Sequence, residues 1–251
     1  MFAPQFIAAL VLHFLIGFHK PLPAVPSTGS IKGIITFTGA LSKPETYKCT
    51  VSEDVCGGSV PLDRLVVGKN RGVRYSLIFV KNPPPSTTAN MSAAVLTQKQ
   101  CRYLPHMVIA ARGSKGTIIN DDEVLHNSHG YYYIGSERTT AFNIAQPVKG
   151  QQTVIDLKKQ GMVNLECDAG HVWMSAWIWV TANPFAVVTN ENGEYILDGL
   201  PPGTYTLVMW HEGWKTKGTE NGRPVFSDPV SQEMEVTVAA GAATSVNFEL
   251  R

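Results

Sequence analysis

From residue 29 onward, apolar and polar positions exchange places every second residue, in short runs bounded by glycine, proline and asparagine. Gly29-Ser30-Ile31-Lys32-Gly33-Ile34-Ile35-Thr36-Phe37-Thr38-Gly39 is one such run, and Leu65–Val67 and Val73–Val80 are shorter ones. Alternation with period two places one face of a strand in a core and the other toward water. Further runs lie at 114–120, 142–148, 151–157, 163–167, 175–180, 204–210, 233–238 and 245–250. No long stretch repeats apolar residues at helical spacing, so the pattern predicts an all-β chain. Lys81-Asn82-Pro83-Pro84-Pro85 closes a first β-sandwich segment at 29–90. A second unit covers 93–182 and a third 183–251. In the third, Val187-Val188-Thr189 leads through Asn192-Gly193 into Tyr195-Ile196-Leu197, a sequence that predicts a tight hairpin.

The chain has 251 residues, enough for two or three small domains, and 22 Gly with 16 Pro suit many short strands and turns. A net charge of +1 gives nucleic acid no electrostatic footing. At the N-terminus Phe6–Phe18 is apolar except at His13 and Gly17, too short to span a bilayer with ease and about the length of a signal-peptide core. Residues 1–20 are therefore expected to be a signal peptide or an N-terminal anchor, although no basic residue precedes the run. A periplasmic or extracellular protein is expected, membrane-associated if the segment is retained. The four cysteines are Cys49, Cys56, Cys101 and Cys167. Cys49–Cys56 and Cys56–Cys101 are alternative disulfides, and the sequence does not choose between them.

The densest chemistry lies in 161–180. Val163, Leu165 and Cys167 share one side of an incoming strand, and Ser175–Val180 reads as the strand going out. The loop between them carries Cys167, His171 and Met174: a thiol, an imidazole and a thioether. Taken singly, a strand cysteine is a small buried hydrophobe and a methionine beside tryptophan is core. Taken together they are soft and borderline ligands that suit copper, and a trigonal His2Cys set with a weak axial Met is an electron-transfer arrangement. A second imidazole is needed, and Leu125-His126-Asn127-Ser128-His129 offers two. His129 and His106 are each alternative ligands, partners of a ligand, or structural histidines.

Tyr103-Leu104-Pro105, the turn and strand at 113–120, His126-Asn127, and Gly161 leading to Cys167, His171 and Met174 resemble a cupredoxin, the plastocyanin and azurin family of copper β-sandwiches. That resemblance implies a Greek-key sandwich over 93–182 holding one copper through His126, Cys167, His171 and Met174. A binuclear copper loop needs another Cys at the position of Val163, so one copper is expected. Thr189–Gly213 resembles a carboxypeptidase-regulatory-like (transthyretin-like) domain, a small sandwich appended to other modules, and the opening strand at 29–39 resembles that family more faintly. The implied whole is tandem β-sandwiches, the copper domain flanked by transthyretin-like ones. Its expected function is electron transfer to an unidentified redox protein, with His171 at the surface as the electron's exit and Val172, Trp173 and Trp177 as an apolar collar. Alternatives are a copper-delivery protein without redox turnover, or a metal-free interaction scaffold. An enzyme is not expected: seven His, with only His126 and His129 close together, do not supply a further copper centre, and no Gly-x-Ser-x-Gly elbow occurs.

Overall fold

The computed structural model describes residues 27–86, 91–134 and 137–251, so the expected leader at 1–20 lies outside the described residues. The chain is all-β: most of its described residues lie in strands, grouped about two large cores. Among the described residues no helix is long and apolar enough to cross a membrane.

The first sandwich has a five-stranded sheet in the order Glu137–Gln146, His126–Ile134, Gly161–Glu166, Ser175–Thr181, Met107–Ala111. Facing it is a four-stranded sheet in the order Gln152–Asp156, Lys115–Asn120, Ala94–Lys99, Arg102–Leu104. Parallel pairs (Ala94–Lys99 with Lys115–Asn120, Met107–Ala111 with Ser175–Thr181) sit among antiparallel ones. Leu96, Tyr103, Ile118, Leu165, Ile178 and Val180 fill the space between the sheets.

The second sandwich corrects the expected domain boundaries. Gly29–Phe37 does not begin a unit of its own: it pairs with Glu194–Leu200 on one side and runs parallel to Ala243–Ser245 and Phe248–Leu250 on the other. Leu77–Val80 likewise lies between Ala186–Val188 and Gly203–His211, and Val230–Val238 completes that sheet. Ile31, Ile35, Phe37, Ile78 and Val80 thus share one core with Leu197, Leu207, Met209, Val236 and Leu250. The first sandwich is inserted into this second one, leaving after Val80 and returning at Ala186, in neighbouring strands of the same sheet. Alternation gives a strand its buried face but not its partner, so the first segment passed for a separate sandwich. Gly33 marks how closely the layers meet, since a Cβ there would lie 1.6 Å from the Val246 carbonyl oxygen.

Asn192-Gly193 also differs from expectation. The strands it joins, Ala186–Val188 and Glu194–Leu200, belong to different sheets and do not pair. The turn is real, with the Gly193 N–H donating to the Asn190 carbonyl at 3.0 Å, but it is a corner between layers. Gly193 has φ +76°, and its carbonyl accepts the Ile35 N–H at 2.9 Å.

The two sandwiches meet at a buried polar knot that sequence reasoning did not find. Glu212, 4% exposed, accepts from Arg64 Nη1 at 2.5 Å, from Trp177 Nε1 at 2.9 Å, and contacts His106 Nε2. Burial raises its pKa, but Arg64 and His106 outweigh this and hold it at about 2. Trp177 therefore packs at this junction, edge to face with Trp210, and is not part of a collar around the candidate ligands.

Candidate metal centre

Gly161–Glu166 and Ser175–Thr181 are antiparallel neighbours whose last pair is Glu166 with Ser175, so Cys167 to Met174 form the connecting loop. Cys167, fully buried, is the first residue past the ladder. Its Sγ accepts the Asn127 N–H at 3.3 Å. His126 opens the adjoining strand, and its Nδ1 lies 4.0 Å from Cys167 Sγ. His171 Nδ1 lies 3.7 Å from the same sulfur. Donor atoms of His126, Cys167 and His171 are all within 4.8 Å of one another and all three residues are buried.

These spacings test whether a metal fits. Bonds of about 2.05 Å to nitrogen and 2.3 Å to sulfur, about 120° apart, place nitrogen and sulfur about 3.8 Å from each other. The observed 3.7 and 4.0 Å straddle that figure. Two imidazoles and a thiolate are also the donor set for which copper is suited.

The candidate ligands are oriented from behind. Asp122 Oδ2 lies 2.9 Å from His126 Nε2, which leaves Nδ1 to face the sulfur. Asp122 is itself fixed by the N–H groups of Gln100 at 2.7 Å and Cys101 at 2.8 Å, and its own N–H donates to Asn120 Oδ1 at 2.9 Å. The sequence carried a signal for this partner, a carboxylate four residues before His126. Met174 is 1% exposed in the same core cluster as Cys167, and its N–H donates to the His171 carbonyl at 3.0 Å, closing the loop back on the histidine.

Electrostatics match this arrangement. Burial raises the Cys167 pKa, but hydrogen bonds from His126, His171 and the N–H groups of Asn127 and Ala169 more than offset it, leaving about 6. Burial lowers the His126 pKa, yet Asp122 and Cys167 carry it above its ordinary value. Behind them Tyr103 is held neutral, its pKa raised by burial and by the Cys167 charge.

The other histidines lie elsewhere. His129 is on the same strand as His126 but binds Asp168 at 2.6 Å, Thr140 at 3.0 Å and the Tyr131 hydroxyl at 2.7 Å. His106 belongs to the Glu212 knot.

His171 is not at the surface, as the sequence reading expected, but 1% exposed. Two hairpins roof it. One runs Thr46–Lys48 to Ser59–Pro61 with the short helix Glu53–Cys56 between them. Its Tyr47 stacks on Trp173 at 5.3 Å, and Val51 faces Gly170. A Cys56–Cys101 disulfide anchors it, leaving Cys49 and Cys167 free. The other hairpin, Thr216–Glu220 with Arg223–Phe226, comes from the far end of the chain. Arg223 donates to the Val172 carbonyl at 3.0 Å and the Cys167 carbonyl at 3.1 Å, and sits 3.4 Å from Glu166 and 3.3 Å from Asp168. The Tyr47 hydroxyl donates to the Gly222 carbonyl at 2.9 Å, joining the hairpins. Neither covering segment adjoins the ligands in sequence, so neither was visible in it.

Residues 168–251 match the carboxypeptidase regulatory-like domain family, which agrees with the resemblance seen at the C-terminus. The match starts inside the ligand loop, ahead of the third unit's expected boundary at 183. Over the earlier part of the chain the structural neighbours are cupredoxins. A purple cupredoxin from Nitrosopumilus maritimus has 19% identity and a TM-score of 0.31, covering 35% of this chain and 99% of that one. A reduced Cu(I) form of an amicyanin variant has 16% identity and a TM-score of 0.29, covering 41% and 98%. A copper-containing nitrite reductase from Thermus scotoductus has 15% identity and a TM-score of 0.29, covering 40% of this chain and 25% of its own. At such TM-scores the likeness adds nothing to what the ligand geometry says. No curated protein matches the chain in sequence.

Proposed function

We propose that this chain is a mononuclear, type 1-like copper protein that carries electrons, not an enzyme. The observation that supports it is the convergence of His126 Nδ1 and His171 Nδ1 on the Cys167 sulfur at metal-type spacing. His126, Cys167 and His171 would hold the copper, with Met174 as the weak axial ligand. When bound, copper supplies a one-electron couple. The protein's part is to keep Cys167 ionised, to fix His126 through Asp122, and to exclude water with two hairpins, so that the ligands move little between oxidation states. The covered loop favours a carrier over a delivery protein, whose ligands must exchange. With His171 covered, the edge of Trp173 at 5.4 Å and Tyr47 stacked beyond it offer the electron a route out through the roof. A redox protein is the partner. The disulfide suits an oxidising compartment, in keeping with export to the periplasm or beyond.

Titration with Cu(II), followed by absorption and EPR, tests this reading. An intense thiolate-to-copper band saturating at one copper, and lost in Cys167→Ser, is the expected result. A colourless protein, or a band that Cys167→Ser leaves unchanged, would refute it and leave a metal-free scaffold.

A further inference from the structure

The Cys56–Cys101 disulfide is not a remote staple. Both its sulfurs and a ring nitrogen of His171 lie within 4.8 Å of one another. The Cys101 sulfur is also within 4.8 Å of a ring nitrogen of His126 and a carboxylate oxygen of Asp122. Cys101 is held there firmly: its N–H donates to Asp122, its carbonyl accepts Trp173 Nε1–H at 3.0 Å, and its φ of +54° lies in the left-handed region. Cys56, by contrast, ends the short helix of the roof hairpin. The bond therefore ties the covering hairpin to the floor of the site. His171 supplies the remaining clue. Its Nδ1 faces Cys167, while its Nε2 is buried with no hydrogen-bond partner among the described residues. A buried polar atom without a partner calls for an explanation, and with Nδ1–H turned to the sulfur Nε2 presents its lone pair.

We propose that Cys56 and Cys101, once reduced, form with His171 a second soft-metal site: the port through which a monovalent copper ion reaches the inner ligands, closed when the two thiols are oxidised to the disulfide. Two thiolates and an imidazole select a soft ion such as Cu(I) over hard divalent cations. A dithiol reductant opens the port by ordinary exchange. Its thiolate attacks Cys56 Sγ, the Cys56–Cys101 bond breaks, and Cys101 leaves as a thiolate. The reductant's second thiol then displaces Cys56, so the reductant departs as its own disulfide and two electrons have passed to the protein. Each new thiol takes a proton, which it gives up on binding metal. Without the disulfide, the cover is still held by the Tyr47 and Glu45 hydrogen bonds to the second hairpin, by the Tyr47–Trp173 stack, and by Cys49 and Val60 in the first core. With the covalent tie to Cys101 gone, this one hairpin can open as a local unit while both sandwiches stay folded. The destination of the ion rests on the copper reading above, but the donors of the port do not include Cys167.

The test uses the full chain as a Cys49→Ala, Cys167→Ser variant, which lacks both free thiols and the inner thiolate. Cu(I) is offered against a colorimetric Cu(I) chelator, before and after reduction with a phosphine that is then removed. One Cu(I) retained per reduced chain, with none retained by the oxidised chain, is the expected result. The loss of that ion on adding Cys56→Ser and Cys101→Ser is expected too. No retention after reduction, equal retention in both states, or retention by the serine variant overturns the port. So does loss of the near-ultraviolet tryptophan dichroism on reduction, because the port requires intact sandwiches. A wild-type chain loaded with copper supplies an independent measure: the chelator should strip it at least about tenfold faster after reduction. An unchanged stripping rate overturns the proposal. Failure of the electron-carrier reading would show separately, as a missing charge-transfer band in the oxidised wild type.

Discussion

The Cys167 thiol of the metal-free protein is where the geometry makes its sharpest quantitative claim. A reference thiol titrates near 9.0, and Cys167 is held at about 6 by two imidazoles and two backbone N–H groups despite its burial. Three pH units at about 1.4 kcal/mol each give about 4 kcal/mol of preference for the folded thiolate. Because the folded value is depressed, that contribution is complete above the unfolded value near 9 and disappears as pH falls through about 6. At pH 7 the folded thiolate outnumbers the thiol by about ten to one while the unfolded residue is almost all thiol, so about 1.4 kcal/mol is present. His126 runs in the opposite sense. Its raised pKa contributes below the ordinary imidazole value and is lost as pH rises through the folded value, so the two titrate as a coupled pair. The assay is thiolate absorbance against pH in a metal-free Cys49→Ala variant, with urea unfolding at matched pH. Asp122→Asn supplies the perturbation: it takes away the negative charge beside His126 Nε2, so the His126 pKa should fall and the Cys167 pKa should rise. A Cys167 that titrates near 9 in the parent protein, or that ignores Asp122→Asn, would refute the assignment of these groups to one electrostatic unit.

Arg223→Met should strip two loop carbonyls of their donor at a cost of about 1–3 kcal/mol, read as a lower urea midpoint with an unchanged slope. Glu212→Gln leaves half-buried Arg64 and buried His106 without their carboxylate and should cost about 3–5 kcal/mol in the same measurement. Glu212 is depressed to about 2 from 4.5, so its stabilisation is present above pH 4.5 and lost toward pH 2. The variant should show a flatter acid limb in that window. Gly193→Ala places a Cβ 2.4 Å from the Ile35 carbonyl oxygen at φ +76° and should lower stability by more than about 2 kcal/mol, measured by thermal unfolding. Gly150→Ala, at φ +81° with nothing within 4 Å, should cost only about 1 kcal/mol and serves as the control.

Period-two alternation made the all-β class and many of the strands legible from sequence, because a strand's inward face depends only on its own residues. Cys167, His171 and Met174 were equally legible, since one short loop between two such strands delivers all three to one end of a sandwich. His126 came into view through its Asn127 neighbour, and the structure shows the contact behind that pairing, the Asn127 N–H on the Cys167 sulfur. Asp122 was readable in principle, four residues ahead of His126, but nothing local distinguishes a carboxylate that orients a ligand from one in a turn.

Partners distant in the chain were a different matter. That Gly29–Phe37 pairs with Glu194–Leu200, that the Asn192-Gly193 turn joins layers, and that Cys56 bonds Cys101 are choices among many patterns of equal local quality. Burial of His171 and the displacement of Trp177 to the Glu212 knot follow from how the two sandwiches close on each other. The sequence by itself determined the strands and the loop that carries the candidate ligands, through residue chemistry and short-range spacing. Tertiary structure alone decided the nesting of one sandwich in the other and the covering of the site, because those depend on free energies of packing between segments as far apart in the chain as Ser30 and Ala243.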